Sequence, residues 1–280
     1  MTDSMLIADS GSTKTKWMMV KTGNMTVTEG LNPHFTTDEQ FLTAIDTVRQ
    51  RLGEVSAIIF YGAGCGNAAQ CARTQGLLCQ GFKSENIKVY TDMLGACRAV
   101  AGNEAALVGI LGTGSNACYY DGVSITHQTV STGFILGDEG SANHVGRVLL
   151  NGYLAHHMPE RLRIMFHDTY RLSDNELMEA IYHQPHPNRF LASLAPFAVQ
   201  HLDDDYCRRV VTITIEDWIN EMVMPLWREV ASDNTIHVVG GYAKVIESTL
   251  SNCLENNGLV VGSVIADPIE GLRQYHLDNP

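Results

Sequence analysis

A chain of 280 residues is too long for one small domain and fits two of ordinary size. Its 45% hydrophobic and 18% charged residues are those of a globular protein rather than a disordered one. The formal net charge of −12 repels polyanions and leaves nucleic-acid binding without support, although backbone N–H groups and Mg²⁺ can still neutralise a phosphate locally.

Residues 5–8 are apolar and lead into Asp9-Ser10-Gly11-Ser12-Thr13-Lys14. The apolar run resumes over 17–20, Gly23-Asn24 marks a turn, and 25–27 resumes the strand pattern. This predicts three strands joined by tight turns. Helical spacing over 38–52 puts Phe41, Leu42, Ile45 and Val48 on one face. A buried-type strand over 55–61 ends in Gly62-Ala63-Gly64-Cys65-Gly66, with a helix expected after it. A further strand over 87–90 ends at Thr91-Asp92, ahead of a helix over 93–101. The first hundred residues therefore read βββαβαβα.

The opening theme then returns. An apolar run over 106–111 is followed by Gly112-Thr113-Gly114-Ser115-Asn116, a second run over 117–120, and Asp121-Gly122. Gly11-Ser12 falls on Gly114-Ser115, which predicts two related domains. Beyond Gly137-Asp138-Glu139-Gly140-Ser141 the chain reads as helical. Ser173-Asp174-Asn175-Glu176 is a capping box for a helix through Ile181, broken by Pro185, Pro187 and Asn188. A long helix over 210–227 is expected to stop or kink near Pro225. Strands over 235–239 and 259–265 follow, the first ending in Gly240-Gly241, and a short helix closes the chain.

Three glycine-rich turns after apolar strands are the main chemical signal: 9–14, 112–116 and 240–241. Glycine lets backbone come close to a ligand, and successive N–H groups form a nest for phosphate oxygens. None is a P-loop, and none is a dinucleotide fingerprint opening a helix. The first two join strand to strand, so phosphate would sit in hairpins.

Residues 6–15 resemble the first phosphate motif of the actin-like ATPase and sugar kinase superfamily, 111–116 its second, and 238–241 its adenosine motif. Gly30-Leu31-Asn32-Pro33-His34 and Gly137-Asp138-Glu139-Gly140-Ser141 resemble the sugar-contacting segments of N-acetylglucosamine kinases, whose family also holds the ATPase subunits of benzoyl-CoA-reductase type. The resemblance implies an α/β fold of two similar ribonuclease H-like (actin-like ATPase) domains with an interdomain cleft. They are expected over 1–105 and 106–270, with room for the helix at 271–280 to pack back on the first. It implies ATP and Mg²⁺ as cofactors and phosphoryl transfer to an amino sugar, N-acetylglucosamine first, at its 6-hydroxyl. Asp9 would hold Mg²⁺ through water, or cap its turn. Gly11, Ser12, Thr13 and Lys14 would contact phosphate, with Lys14 alternatively in solvent, and Thr113 would serve ATP. Gly240 and Gly241 would admit adenosine, or form a plain turn. Asp92 would be the base taking the proton of the attacking hydroxyl, or the N-cap of the following helix. Asn32, Asp92, Ser115, Asn116, Gly133 and Asp138 would bind the sugar, with Glu139 a helix cap.

Other signals carry less. Seven cysteines at irregular spacing predict free buried thiols in a reducing cytoplasm. His156, His157, His167, His183 and His186 fit no ligand spacing, and Asp203-Asp204-Asp205 reads as a solvated helix end. The first residues show no leader, and no apolar run approaches the roughly 20 residues of a spanning helix. No membrane or nucleic-acid partner is expected, while a homodimer is open. Two competing functions remain: an ATPase that drives a partner enzyme, and a non-catalytic sugar sensor. Among substrates, N-acetylmannosamine, glucosamine and N-acetylmuramic acid stay open beside N-acetylglucosamine.

Overall fold

The computed structural model describes residues 4–230 and 234–280. The reading of the chain's start as free of a leader falls mainly on residues 1–3, outside that range. In chain order the elements are β1 (Met5–Ser10), β2 (Lys14–Met19), β3 (Met25–Glu29), α1 (Asp38–Leu52), β4 (Ala57–Gly62), α2 (Ala68–Phe82), β5 (Ile87–Thr91) and α3 (Asp92–Ala101). There follow β6 (Ala106–Leu111), β7 (Ser115–Tyr120), β8 (Ile125–Gln128), α4 (Gly133–Leu136), α5 (Ala142–Leu154), α6 (Glu160–Tyr170), α7 (Asp174–Tyr182), α8 (Pro187–Gln200) and α9 (Asp205–Trp218). The last are α10 (Met224–Val230), β9 (Thr235–Val239), α11 (Gly241–Val245), α12 (Glu247–Asn256), β10 (Val260–Ile265) and α13 (Ile269–Asp278). Among the described residues no helix is long and apolar enough to cross a membrane.

Two compact units divide these elements: Met1–Ala106 with Tyr120–Ile125 and Asp267–Pro280, and Leu107–Tyr119 with Thr126–Ala266. Each is built on a five-stranded sheet, of order β3-β2-β1-β4-β5 and β10-β9-β6-β7-β8 respectively. Counted from its own first strand, each sheet runs 3-2-1-4-5, so the repeat seen at two turns is a duplication of the whole sheet. The fold is the α/β pair of similar domains that the resemblance implied.

In the first unit β1 is central, antiparallel to β2 and parallel to β4. Side chains alternate across it. Leu6 and Ala8 pack with Trp17, Phe41 and Phe60 on one face, while Ile7 packs with Met18, Tyr61, Ile269 and Leu272 on the other. Asp9 is in phase with Ile7, so it emerges on the face that α13 covers. The second unit has a larger helical core around Leu149, Phe166, Phe197, Ile215 and Trp218.

Two helical expectations are refined. The expected helix over 210–227 begins earlier, where the Asp204 carboxylate accepts the Tyr206 N–H at 2.9 Å, and it is interrupted by a π-turn over Ile219–Val223. Pro225 explains the interruption: it has no N–H to donate, and its ring crowds the carbonyl four residues back, so the ladder widens just before it. The helix expected through Ile181 ends at Tyr182, ahead of Pro185 and Pro187 as read, and Pro187 also stands at the first position of α8, where a missing N–H costs nothing. The capping box at Ser173 and Glu176 forms as read.

Candidate active site

In the first unit the turn after β1 closes through the Gly11 N–H to the Lys14 carbonyl at 3.0 Å. Beneath it the Ser10 and Thr15 hydroxyls meet at 2.8 Å, and Ser10 Oγ accepts the Leu31 N–H at 3.1 Å. The loop carrying Asn32 thus sits directly on the turn. Gly30 makes this possible: a Cβ there would lie 2.6 Å from the Gly11 carbonyl oxygen and from Ser12 backbone. Asn32 is buried, with its Oδ1 accepting the His34 N–H at 3.0 Å. Arg73, from α2, holds the same loop through the Pro33 and Thr36 carbonyls and the Asp38 carboxylate.

Asp9 lies opposite Lys16 across β1 and β2, and Lys14 shares that face by alternation. Lys14 itself is exposed, while Lys16 is ion-paired with Asp267. Burial pushes the Asp9 carboxyl up to about 7, and the Asp267 and Asp92 carboxylates add to the rise against Lys16 and Lys14. Asp92 is the first residue of α3 but not its cap. Thr91 caps the helix, its Oγ1 accepting the Leu94 N–H at 3.2 Å, whereas Asp92 Oδ1 accepts the adjacent Met93 N–H at 2.9 Å. Burial raises the Asp92 pKa, with the Met93 N–H and its own N–H opposing. The helix is set in place by two glycines: Gly95 packs on the Tyr61 ring, and Gly271 of α13 packs on the Ala99 carbonyl, where a Cβ would come within 2.3 Å.

In the second unit the turn after β6 closes through the Gly112 N–H to the Gly114 carbonyl at 2.9 Å. Its outer carbonyls face the start of α5: Ala142 N–H donates to Gly112 at 3.0 Å and Asn143 N–H to Thr113 at 3.2 Å. Asp138 stands beside it with φ of 58°, a conformation Asp tolerates better than most residues. Its carboxylate accepts from the Ser115 N–H at 3.3 Å and the Asn143 amide at 2.8 Å. Burial raises its pKa; these two donors and Arg147 oppose the rise. Ser141, not Glu139, caps α5. The Ser115 hydroxyl turns inward onto Met222 Sδ at 3.8 Å, and Asn116 Oδ1 is engaged by the Ala117 N–H and the Thr129 hydroxyl. Gly133 opens α4 with φ of 72°, its carbonyl accepting the Gly137 N–H at 2.8 Å.

Gly240 and Gly241 behave differently. A Cβ on Gly240 would lie 2.1 Å from the Leu111 carbonyl oxygen, and its φ is 142°. That glycine is needed to bring β9's end against the strand that leads into the Thr113 turn. Nothing lies within 4 Å of a Cβ on Gly241, which opens α11.

No protein-family model matches the chain, and no curated protein sequence matches it either. Solved structures do. One from Porphyromonas gingivalis, described as a candidate N-acetylglucosamine kinase, is 36% identical, covers 98% of this chain and 99% of its own, and superposes with a TM-score of 0.92. This chain belongs to the N-acetylglucosamine kinase-like family of actin-like ATPases. A second structure with the same description, from Chromobacterium violaceum, is 16% identical over 98% of this chain and 99% of that one, with a TM-score of 0.76. A ROK-family glucokinase from Streptomyces griseus, in complex with glucose and AMPPNP, is 13% identical over 97% of each chain, with a TM-score of 0.56. These two speak for the fold alone.

Within this N-acetylglucosamine kinase-like chain, the residues read from the motifs fall into two local groups. Asp9, Gly11, Ser12, Thr13, Lys14, Asn32 and Asp92 belong to the first unit; Thr113, Ser115, Asn116, Gly133, Asp138, Gly240 and Gly241 belong to the second. Sequence reasoning missed Lys16, Asp267, Arg73 and Asn143, which touch the motif residues without forming part of a motif. Strand alternation from Asp9 could have found Lys16. Among the described residues no group of three or more His, Cys, Asp or Glu side chains could hold a metal ion by itself, so Mg²⁺ would find only the Asp9 carboxylate in the first group, which suits a dication that keeps water and phosphate in most of its positions. None of the seven cysteines is in a disulfide, and burial pushes the Cys65 thiol up to about 11, which makes it a poor nucleophile.

Proposed function

We propose that the chain transfers the γ-phosphoryl group of ATP to N-acetylglucosamine, giving the 6-phosphate and ADP. The observation that carries the catalytic part is Asp92: a buried carboxyl of raised pKa, relieved of helix capping by Thr91, in the same unit as the Asp9 turn. The choice of sugar follows the 36% identical relative.

The Asp92 carboxylate accepts the proton of the sugar 6-hydroxyl as that oxygen bonds to the γ-phosphorus. The bond from phosphorus to the β,γ-bridging oxygen breaks, and ADP leaves with that electron pair. Such transfer is largely dissociative, so alignment of the hydroxyl matters more than strong basicity. N–H groups of the Gly11–Lys14 and Thr113 turns bind phosphate oxygens. Asn32, Asn116 and Asp138 hold sugar hydroxyls, Ser115 acts through its N–H on Asp138, and Gly133 lends its loop. Gly240 and Gly241 let backbone approach adenosine. Mg²⁺ held at Asp9 through water would neutralise phosphate charge.

The reading is tested by incubating the protein with MgATP and N-acetylglucosamine, N-acetylmannosamine, glucosamine, N-acetylmuramic acid and glucose, following ADP and sugar phosphate together. Phosphorus–proton correlation then locates the ester. Equimolar ADP and N-acetylglucosamine 6-phosphate is the expected result. ADP formed at the same rate without sugar would replace the kinase by a coupling ATPase.

A further inference from the structure

Asn143 belongs to none of the motifs, yet it touches two of them. Its side chain is fully buried in the first turn of α5. The two N–H groups of its amide go to different places: the Thr113 carbonyl at 2.7 Å and Asp138 Oδ2 at 2.8 Å. Its backbone N–H reaches the same Thr113 carbonyl. On the far side of the carboxylate the Ser115 N–H donates to Oδ1, and Gly114 lies so close that a Cβ would be 2.9 Å from both carboxylate oxygens. Turn, carboxylate and helix start therefore close a ring of hydrogen bonds. An ionised carboxylate has about four acceptor positions. Among the described residues the Ser115 N–H and the Asn143 amide take two of them, and hydroxyl groups of a ligand would take others.

We propose that Asn143 is a positioning residue that locks the Asp138 carboxylate to the Thr113 turn, so that the group reading the sugar and the turn reading phosphate move as one piece. The proposal rests on the sugar kinase reading above. Asn143 needs no contact with either substrate: it acts by holding Asp138 at a fixed angle and distance from the turn.

The test is a double-mutant cycle on the full chain, with sugar KM and kcat measured for wild type, Asn143→Ala, Asp138→Ala and the double variant. Asn143→Ala is expected to raise sugar KM about tenfold, the scale of one hydrogen bond to a charged group. Because it acts through Asp138, the double variant should be no worse than Asp138→Ala alone. Effects that multiply in the double variant, or an Asn143→Ala KM within about twofold of wild type, overturn the proposal. Asn143→Asp keeps the shape but swaps the donor for an acceptor facing a carboxylate and a carbonyl. It should be worse than Asn143→Ala at pH 8 and recover in part at pH 6, as the new carboxyl gains a proton. A near-wild-type Asn143→Asp would mean that only packing matters. Melting curves on each variant separate misfolding from misplacement. An active wild type whose sugar KM is indifferent to Asp138→Ala removes Asp138 from the sugar site and this proposal with it. A wild type that phosphorylates no sugar overturns the functional reading itself.

Discussion

The turns after β1 and β6 hold the same place in two sheets of the same strand order, but the acidic residues near them have different partners. Burial raises all three carboxyls; Asp9 is raised further by neighbouring carboxylates, and Asp92 is met by backbone N–H groups at its own helix start. Asp138 is braced, between the Ser115 N–H and the Asn143 amide. Crowding leaves a carboxylate ready for a cation or a proton. Bracing leaves it ready to hold a hydroxyl at a fixed angle. Duplicated sheets thus carry different chemistry through the residues placed around equivalent turns.

The largest expected effect comes from the crowded side. Asp92→Asn keeps the shape and the Met93 contact but cannot take a proton, so kcat should fall by about 10²–10⁴. Sugar KM should stay within a few-fold, which steady-state kinetics would show. An equal loss in kcat and rise in KM would mean that Asp92 mainly binds.

Gly240→Ala comes next, because its Cβ would strike the Leu111 carbonyl at 2.1 Å in a backbone conformation strained for any L side chain. Calorimetry should show a marked drop in melting temperature, together with weaker binding of an ATP analogue. Gly241→Ala, in open space, should be close to neutral in the same assay.

The pH response separates the two acids further. The Asp9 carboxyl rises from 3.8 to about 7 on folding, so the folded protein holds a proton there that the unfolded chain has lost. Its ionisation therefore removes stability as pH rises through that window, and the ligand-free protein should melt lower at pH 8 than at pH 5. Mg²⁺ needs the ionised form, so its apparent affinity in the presence of ATP should climb steeply from pH 6 to 7 and level off above. Asp9→Asn should flatten both curves. A Mg²⁺ affinity independent of pH in wild type would place the ion elsewhere.

The smallest effect belongs to the braced side. Asp138→Asn retains the shape and one acceptor, and should raise sugar KM about tenfold with a lesser change in kcat. A larger effect on kcat than on KM would make Asp138 part of the chemistry and erase the contrast.

Much of this was legible in the sequence, for reasons specific to each part. The βββαβαβα order and the turns at Gly11 and Gly114 show because strands, glycines and alternation are local signals. The repeat of the entire sheet does not, since β9 and β10 are separated from β6 by the run of helices from α5 to α10. The break expected near Pro225 was legible because proline is a local signal, but its form, a π-turn over Ile219–Val223 rather than a stop, was not. Asn143 was invisible because its role depends on two partners, Thr113 and Asp138, that meet only when α5 docks under the turn. The Lys16 and Asp267 pair was equally hidden: one residue is in β2, the other precedes α13, and only folding brings them together.

The most direct test of the account is the initial rate of ADP release from MgATP with and without N-acetylglucosamine, for wild type and Asp92→Asn side by side. A rate that rises steeply with the sugar in wild type, and a variant that loses the sugar-dependent rate while still binding the sugar, is what the account predicts. A wild-type rate indifferent to the sugar, or an Asp92→Asn protein as fast as wild type, would contradict it.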